Sequence, residues 1–378
     1  MNLSCGIVGF PNVGKSTLFN ALLKKQVAAS ANYPFTTIEP NVGVVEVPDE
    51  RVDALKELIE KTEGLASSYK TIRATVNFVD IAGLVKGAAQ GEGLGNQFLS
   101  HIREVDVIAM VLRDFKSPEV IKSGSENPSD DVEILKSELL LKDLDVLTKR
   151  VDSMAREVKI KPATDPIHGV FAAMEKAKKL VEEGKWLNDD LPAEDLDKIE
   201  DLQLLSAKKI IYVLNTDEDR LTSSVILGSE TTPESAENRF WTSQNDNMIR
   251  ISAKLEEELS ALTEDEQREY LKELGVQEPG LNILIRKAYE MLGLITFLTA
   301  GPKEVRAWTT YKGTLAPQAA GVIHTDFERG FIAAEVIDWK TLVDAGGWTA
   351  AKSKGLVKTI GKTEEIKDGM VVEFRFSV

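Results

Sequence analysis

The run Gly9-Phe10-Pro11-Asn12-Val13-Gly14-Lys15-Ser16-Thr17 fits the pattern G-x4-G-K-[ST], with an apolar stretch before it and the helical pattern TLFNALLKK after it. Glycines in such a loop let the backbone curl until successive N–H groups and the N-terminus of the next helix face one anionic centre. That is the chemistry of phosphate binding. Lys15 adds a mobile positive charge, and Ser16 a hydroxyl suited to magnesium. Residues Asn12, Val13, Gly14, Lys15, Ser16 and Thr17 are therefore expected to line the phosphates of a nucleotide.

A second element agrees with the first. Asp80-Ile81-Ala82-Gly83 ends an apolar stretch and lies sixty-four residues after Ser16. Its spacing puts a carboxylate near the magnesium shell and the Gly83 N–H near the γ-phosphate. Between the two lies Tyr33-Pro34-Phe35-Thr36-Thr37-Ile38, from which Thr37, with Thr36 as the alternative, is expected to complete the metal shell when the γ-phosphate is present. The Gly-rich stretch with Gly87, Gly91, Gly93 and Gly95 follows directly and reads as a switch segment.

The fourth element departs from the usual guanine reader. Where N-K-x-D would follow a core strand, the chain has Asn215-Thr216-Asp217-Glu218. Glu218 is a methylene longer than aspartate, and Thr216 has no lysine stem to lay along a base, so guanine selection is expected to be weakened. Asn215, Thr216 and Glu218, with Ser252 and Ala253 of the loop Ser252-Ala253-Lys254, are the expected base-side residues.

These residues need a sheet to position them. Apolar runs at Leu3 to Val8, Val76 to Val79, Val105 to Leu112 and Ile210 to Leu214 alternate with helical patterns, and Met248 to Ile251 reads as a further strand. That order describes an α/β fold, a mostly parallel sheet covered on both faces, with ligands at the strand ends. Leu140, Leu144, Leu147, Val151, Met154 and Val158 recur at spacings of four and three, stop at the turn-rich Lys161 to Pro166, and are answered by Val170, Met174, Ala177 and Val181. The pattern predicts an antiparallel helical hairpin inserted into the nucleotide domain. Residues 222–248 read as a surface excursion. After the helical stretch Leu281 to Leu292, alternating residues with Gly-rich joints predict a small β-rich domain. The expected division is 1–127 with 206–293, then 128–205, then 294–378.

Composition narrows the classes. The 378 residues carry a formal charge of −15, which opposes generic binding to DNA or other nucleic acid without excluding a local basic patch. Residues 128–205 hold nineteen acidic and twelve basic residues, whereas residues 294–378 hold ten and eleven. No run is apolar enough for a membrane span and no leader is visible, so a cytoplasmic protein is expected. The single cysteine, Cys5, excludes an internal disulfide and reads as a core residue.

Together GFPNVGKST, YPFTTIEPN, NFVDIAGLVKGAAQGEGLGNQFL, NTDE and ISAKLEEEL resemble the Obg-related YchF family, the Obg-like ATPases, and GPKEVRAWTTYKGTLAPQAAGVIHTDFERGFIAAEV resembles that family's C-terminal TGS domain. The resemblance implies an Obg-type P-loop NTPase domain with a helical insert, a preference for ATP over GTP, and contact with the ribosome; a monomer is expected. A GTPase, or an ATP-gated adaptor in which turnover is incidental, is the alternative. Many related GTPases place a water-orienting glutamine after D-x-x-G; here stands Leu84, which can neither donate nor accept a hydrogen bond, so intrinsic hydrolysis is expected to be slow. Asn12 is similar to the asparagine through which several relatives hold potassium. The histidine that some relatives carry near the end of the strand Ile108 to Arg113 is here Met110, which leaves His101 as a candidate near the γ-phosphate beside its reading as a helix-surface residue. His168 and His324 are given no catalytic part.

Overall fold

The computed structural model describes residues 3–29, 41–63, 70–81, 94–116, 124–125, 127–221, 247–301 and 303–377. The first half runs β1 (Ser4–Val8), α1 (Lys15–Ala29), β2 (Val42–Glu46), α2 (Glu50–Glu63), β3 (Lys70–Ile72), β4 (Thr75–Asp80), α3 (Leu94–Glu104), β5 (Val107–Asp114), α4 (Pro128–Val158), α5 (Ile167–Glu182), α6 (Leu187–Asp190) and α7 (Ala193–Lys198). There follow β6 (Lys209–Thr216), β7 (Met248–Ile251), α8 (Ala253–Leu259), α9 (Glu264–Glu273), α10 (Gly280–Met291), β8 (Leu294–Ala300), β9 (Glu304–Tyr311), α11 (Ala316–Ile323) and α12 (Thr325–Arg329). The chain ends with β10 (Phe331–Asp338), α13 (Trp339–Ala345), α14 (Trp348–Ser353), β11 (Lys358–Ile360) and β12 (Met370–Phe376). No helix among the described residues is long and apolar enough to cross a membrane.

One sheet has the order β2-β4-β1-β5-β6-β7, and β4, β1, β5, β6 and β7 pair in parallel. Its central strands are buried along nearly their whole length, as continuous apolar runs in a parallel sheet must be. Cys5 is a fully buried core residue, and Met110 is equally buried between Val8 and Tyr212. At Gly6 any side chain would strike Ile81 and Val105, at 2.7 and 2.8 Å from an added Cβ.

The 31-residue α4 opens with Pro128 in its first turn and with Asp130 and Asp131 beside the N-terminal end of the helix dipole. It packs along α5, and Leu139, Leu140 and Leu147 on α4 and Ala173, Met174, Ala177 and Val181 on α5 are buried. Beyond this, Val151, Met154 and Val158 are only half-buried. The base of α4 is held by Asp143, which is fully buried. It accepts hydrogen bonds from Leu205 N at 2.9 Å, Ser206 N at 2.7 Å and Ser206 Oγ at 2.6 Å.

The second sheet has the order β11-β10-β12-β8-β9-β3. Its core gathers Phe297, Ala316, Ala319, Ala320, Phe331 and Val336. Strand β3 runs parallel to β9, with Ile72 opposite Arg306. The chain divides into two compact units, and Val44–Val76 clusters with Ile285–Val378 rather than with the nucleotide-binding residues around it. Arg51, at the start of α2, shows why. Its guanidinium grips Asp49 at 2.7 and 2.8 Å and Asp368 at 2.6 Å, and Asp368 in turn accepts from Thr296 N at 2.8 Å. This interleaving is absent from the division expected at residues 127 and 294.

Candidate nucleotide-binding site

The loop between β1 and α1 carries positive φ angles of 158° at Gly9, 63° at Asn12 and 96° at Gly14. Backbone in this region turns consecutive N–H groups toward one point, the arrangement that anions occupy. Both glycines of the pattern are also required by contact. A Cβ on Gly9 would overlap the Val111 carbonyl oxygen, and one on Gly14 would overlap the Asn215 side-chain nitrogen. The helix begins at once, with Leu18 N donating to Gly14 O at 3.0 Å.

Lys15 is only 7% exposed, and its Nζ donates to the Phe10 carbonyl at 2.7 Å. Burial lowers its pKa to about 8, against the opposing pull of Asp80. Asp80 ends β4, where its own N–H donates to Asn41 O at 3.0 Å and the next N–H, of Ile81, donates to Ile7 O at 3.2 Å. Burial raises the Asp80 carboxyl and the Lys15 charge lowers it, so the two expected phosphate-side and metal-side groups feel one another. Ser16 is exposed at the start of α1, and Thr17 half-buried beside it. A hydroxyl and a carboxylate are hard oxygen donors, which fits magnesium held partly by phosphate oxygens. Among the described residues no group of three or more His, Cys, Asp or Glu could hold a metal without such help.

Asn215 is the joint of the site. Its Nδ2 donates to Val13 O at 2.8 Å, and its Oδ1 accepts from Ala253 N at 2.9 Å, which ties the phosphate loop to the loop after β7. Ser252 caps α8 by accepting from Leu255 N at 3.3 Å. Three of the residues expected at the base, Asn215, Ser252 and Ala253, therefore spend described hydrogen bonds on holding the two loops in place. Thr216 is 2% exposed, and its hydroxyl has no partner among the described residues. Glu218 opens a single helical turn, Glu218–Arg220, and meets Lys254 Nζ at 3.3 Å; the same ammonium lies 3.7 Å from Glu258. Asp217 anchors the turn from the other side by accepting from Lys116 N at 3.1 Å.

Sequence reasoning missed the Lys254 to Glu218 pair, although opposite charges in S-A-K and N-T-D-E were its visible signal. It also gave no hint of Phe10, whose contribution is a carbonyl. His101 is exposed in the last turn of α3, while Phe98, Leu99 and Ile102 of that helix are buried. Thr36, Thr37, Gly83, Leu84, Gly87, Gly91 and Gly93, and nearly all of the excursion at 222–248, lie outside the described residues. Gly95 is in α3.

Comparison with known proteins finds relatives over the whole chain. The model of the 50S ribosome-binding GTPase family matches residues 4–150, and the C-terminal YchF-type model, described as a protein of unknown function, matches residues 294–377. The chain is 44% identical over 380 residues to the ribosome-binding ATPase YchF of Bacillus subtilis and 43% identical over 381 residues to that of Escherichia coli O157:H7, each comparison covering 100% of both chains. It is similar to the solved YchF GTPase of Schizosaccharomyces pombe, with a TM-score of 0.82 and 36% identity over 99% of this chain and 98% of that one. With the phosphate loop, the Asp80 strand end and the N-T-D-E turn in one fold, and with full-length relatives at 43 and 44% identity, the chain belongs to the YchF family of P-loop NTPases.

Proposed function

We propose that the chain is a magnesium-dependent P-loop ATPase that prefers ATP over GTP, turns over slowly, and works in the cytoplasm as a nucleotide-dependent switch on the ribosome. The observation that carries the reading is the buried brace from Asn215 to Val13 and Ala253, which organises a phosphate cradle and a base-side loop as one piece. The bacterial relatives are named ribosome-binding ATPases, and similarity to them runs end to end.

In this reading Lys15 leaves the Phe10 carbonyl for the β- and γ-phosphate oxygens, and the N–H groups around Asn12 and Gly14 hold the same charge from the backbone side. Ser16, Asp80 and Thr37 would hold magnesium, which neutralises phosphate charge as the terminal phosphoryl group is transferred to water. By the spacing of the D-x-x-G pattern, the Gly83 N–H would serve the γ-phosphate. Leu84 supplies no hydrogen bond to the attacking water, so turnover waits on another group; Asn12 as a potassium ligand is the candidate, and His101 has no part assigned. Glu218, engaged by Lys254, is a poor match for the paired donors of guanine. Residues 294–378 act as a TGS-type domain, and the chain works as a monomer.

Competition of unlabelled ATP and GTP against a fluorescent nucleotide tests the reading: ATP is expected to displace the probe at the lower concentration. Tenfold tighter GTP binding would overturn the base assignment. The GTPase reading is the second one, favoured by the family description and by the Schizosaccharomyces pombe structure.

A further inference from the structure

The turn after β6 is held by charged contacts from two neighbouring elements. On the β5 side, Asp217 accepts from Lys116 N at 3.1 Å, and Arg220 donates to the Asp114 carbonyl at 3.1 Å and to its carboxylate at 2.9 Å. Glu218, between these two anchors in sequence, is met instead from α8, where Lys254 Nζ donates to it at 3.3 Å. Anchoring Asp217 and Arg220 fixes the backbone that carries Glu218, so its carboxylate leaves Lys254 only by a change of its own rotamer. Of the other polar side chains expected beside the base, Asn215 and Ser252 are engaged as well, and the buried Thr216 hydroxyl has no partner among the described residues.

An unpaired carboxylate in this place would favour guanine, whose N1–H and neighbouring exocyclic amine are adjacent donors. It would disfavour adenine, whose N1 is an acceptor and whose neighbouring carbon carries no amine. The Lys254 ammonium reverses both effects. It occupies the carboxylate as a donor, and it offsets the negative charge that the adenine acceptor would otherwise meet. Lys254 also lies 3.7 Å from Glu258, an i,i+4 contact that any helix surface supplies. The shorter contact is the one to Glu218, 36 residues earlier, and nothing in the α8 helix requires it.

We propose that Lys254 is a positioning residue that sets the choice of base by holding Glu218 away from guanine. The proposal rests on the reading of the β6 turn and the loop after β7 as the base side of an ATP site, and deepens it. The Thr216 hydroxyl, which can donate or accept, is then the side-chain group left to meet the base edge. With Glu218 28% and Lys254 76% exposed, the pair shifts an equilibrium by up to about fivefold.

The test measures ATP and GTP dissociation constants of the full chain by competition against a fluorescent nucleotide. Their ratio is the readout, because contacts to the shared ribose and phosphates cancel from it. Lys254→Met is expected to move the ratio about two- to fivefold toward GTP, and Lys254→Arg to keep the wild-type value. Removing the carboxylate as well, in Lys254→Met with Glu218→Gln, is expected to abolish the shift. Added salt should move the wild-type ratio toward GTP and leave that of Lys254→Met in place. Lys254 is exposed, and an unchanged circular dichroism spectrum shows that each variant keeps the fold. A ratio unaltered by Lys254→Met overturns the inference. So does an equal shift from Glu258→Gln, which would trace the effect to the stability of α8. A wild type that prefers GTP overturns the ATP reading and not this one, which the change between wild type and variant decides.

Discussion

Raising the pH should weaken ATP binding through a single amine. Lys15 in the free protein is buried against the Phe10 carbonyl, and its pKa falls from 10.5 to about 8. Phosphates favour the charged amine, so binding draws the pKa back up and takes up a proton wherever the free amine is neutral. With a free pKa of about 8, the protonated fraction is about 0.9 at pH 7 and about 0.1 at pH 9. ATP affinity should therefore fall about tenfold between those values, or ~1.4 kcal/mol. Calorimetry at pH 9 in two buffers of different ionisation enthalpy should show uptake of close to one proton per ATP bound. The stability of the free protein changes with pH in the opposite direction, rising as the pH rises. The folded pKa lies below the unfolded one, so the penalty for burying the charged amine is complete below about pH 8 and disappears as the pH rises toward 10.5. Lys15→Met should accordingly raise the melting temperature of the nucleotide-free protein at pH 7 while removing the pH dependence of any residual binding. Constant affinity from pH 7 to 9, with no proton uptake, would refute the argument.

Two further outcomes follow from buried hydrogen bonds. Asn215→Ala leaves the Val13 carbonyl and the Ala253 amide without their partner, at a cost of about 2–4 kcal/mol. ATP affinity should fall at least tenfold by fluorescence titration, and a change of less than twofold would show that the brace is dispensable. Asp143→Ala strips three donors at Leu205 and Ser206 of their acceptor and should destabilise the base of α4 by about 2–4 kcal/mol. Faster amide exchange at those two residues, with a lower urea midpoint, is the expected readout, and unaltered exchange would contradict it.

What could be read in the sequence was local. A strand followed by G-x4-G-K-S and a helix is written in consecutive residues, and β1, β4, β5, β6 and β7 fall within three residues of the apolar runs that announce them. The helical pair is legible because its seam repeats at fixed spacing. Asn215 was legible only as a polar residue at a strand end. Whether such an amide faces a ligand or a backbone depends on the loop 38 residues later that supplies Ala253 N. The placement of β3 was invisible for the same reason. Lys70–Ile72 is a three-residue strand, and the partner that gives it a place lies more than two hundred residues away.

That placement bears on the order in which the chain can fold as it is made. The residues Val44–Val76 leave the ribosome early, but Ile285–Val378, against which they pack, are not yet synthesised. At 5–20 residues per second the delay is roughly 10–40 s. Throughout it, α2, on which Leu55 and Ile59 end up buried, lacks β8, β9 and α13, against which it packs, and Arg51 has Asp49 but no Asp368. The nascent chain therefore carries an amphipathic helix with an uncovered apolar face between two strands of its nucleotide-binding sheet, and a chain cut short before residue 285 would keep it so.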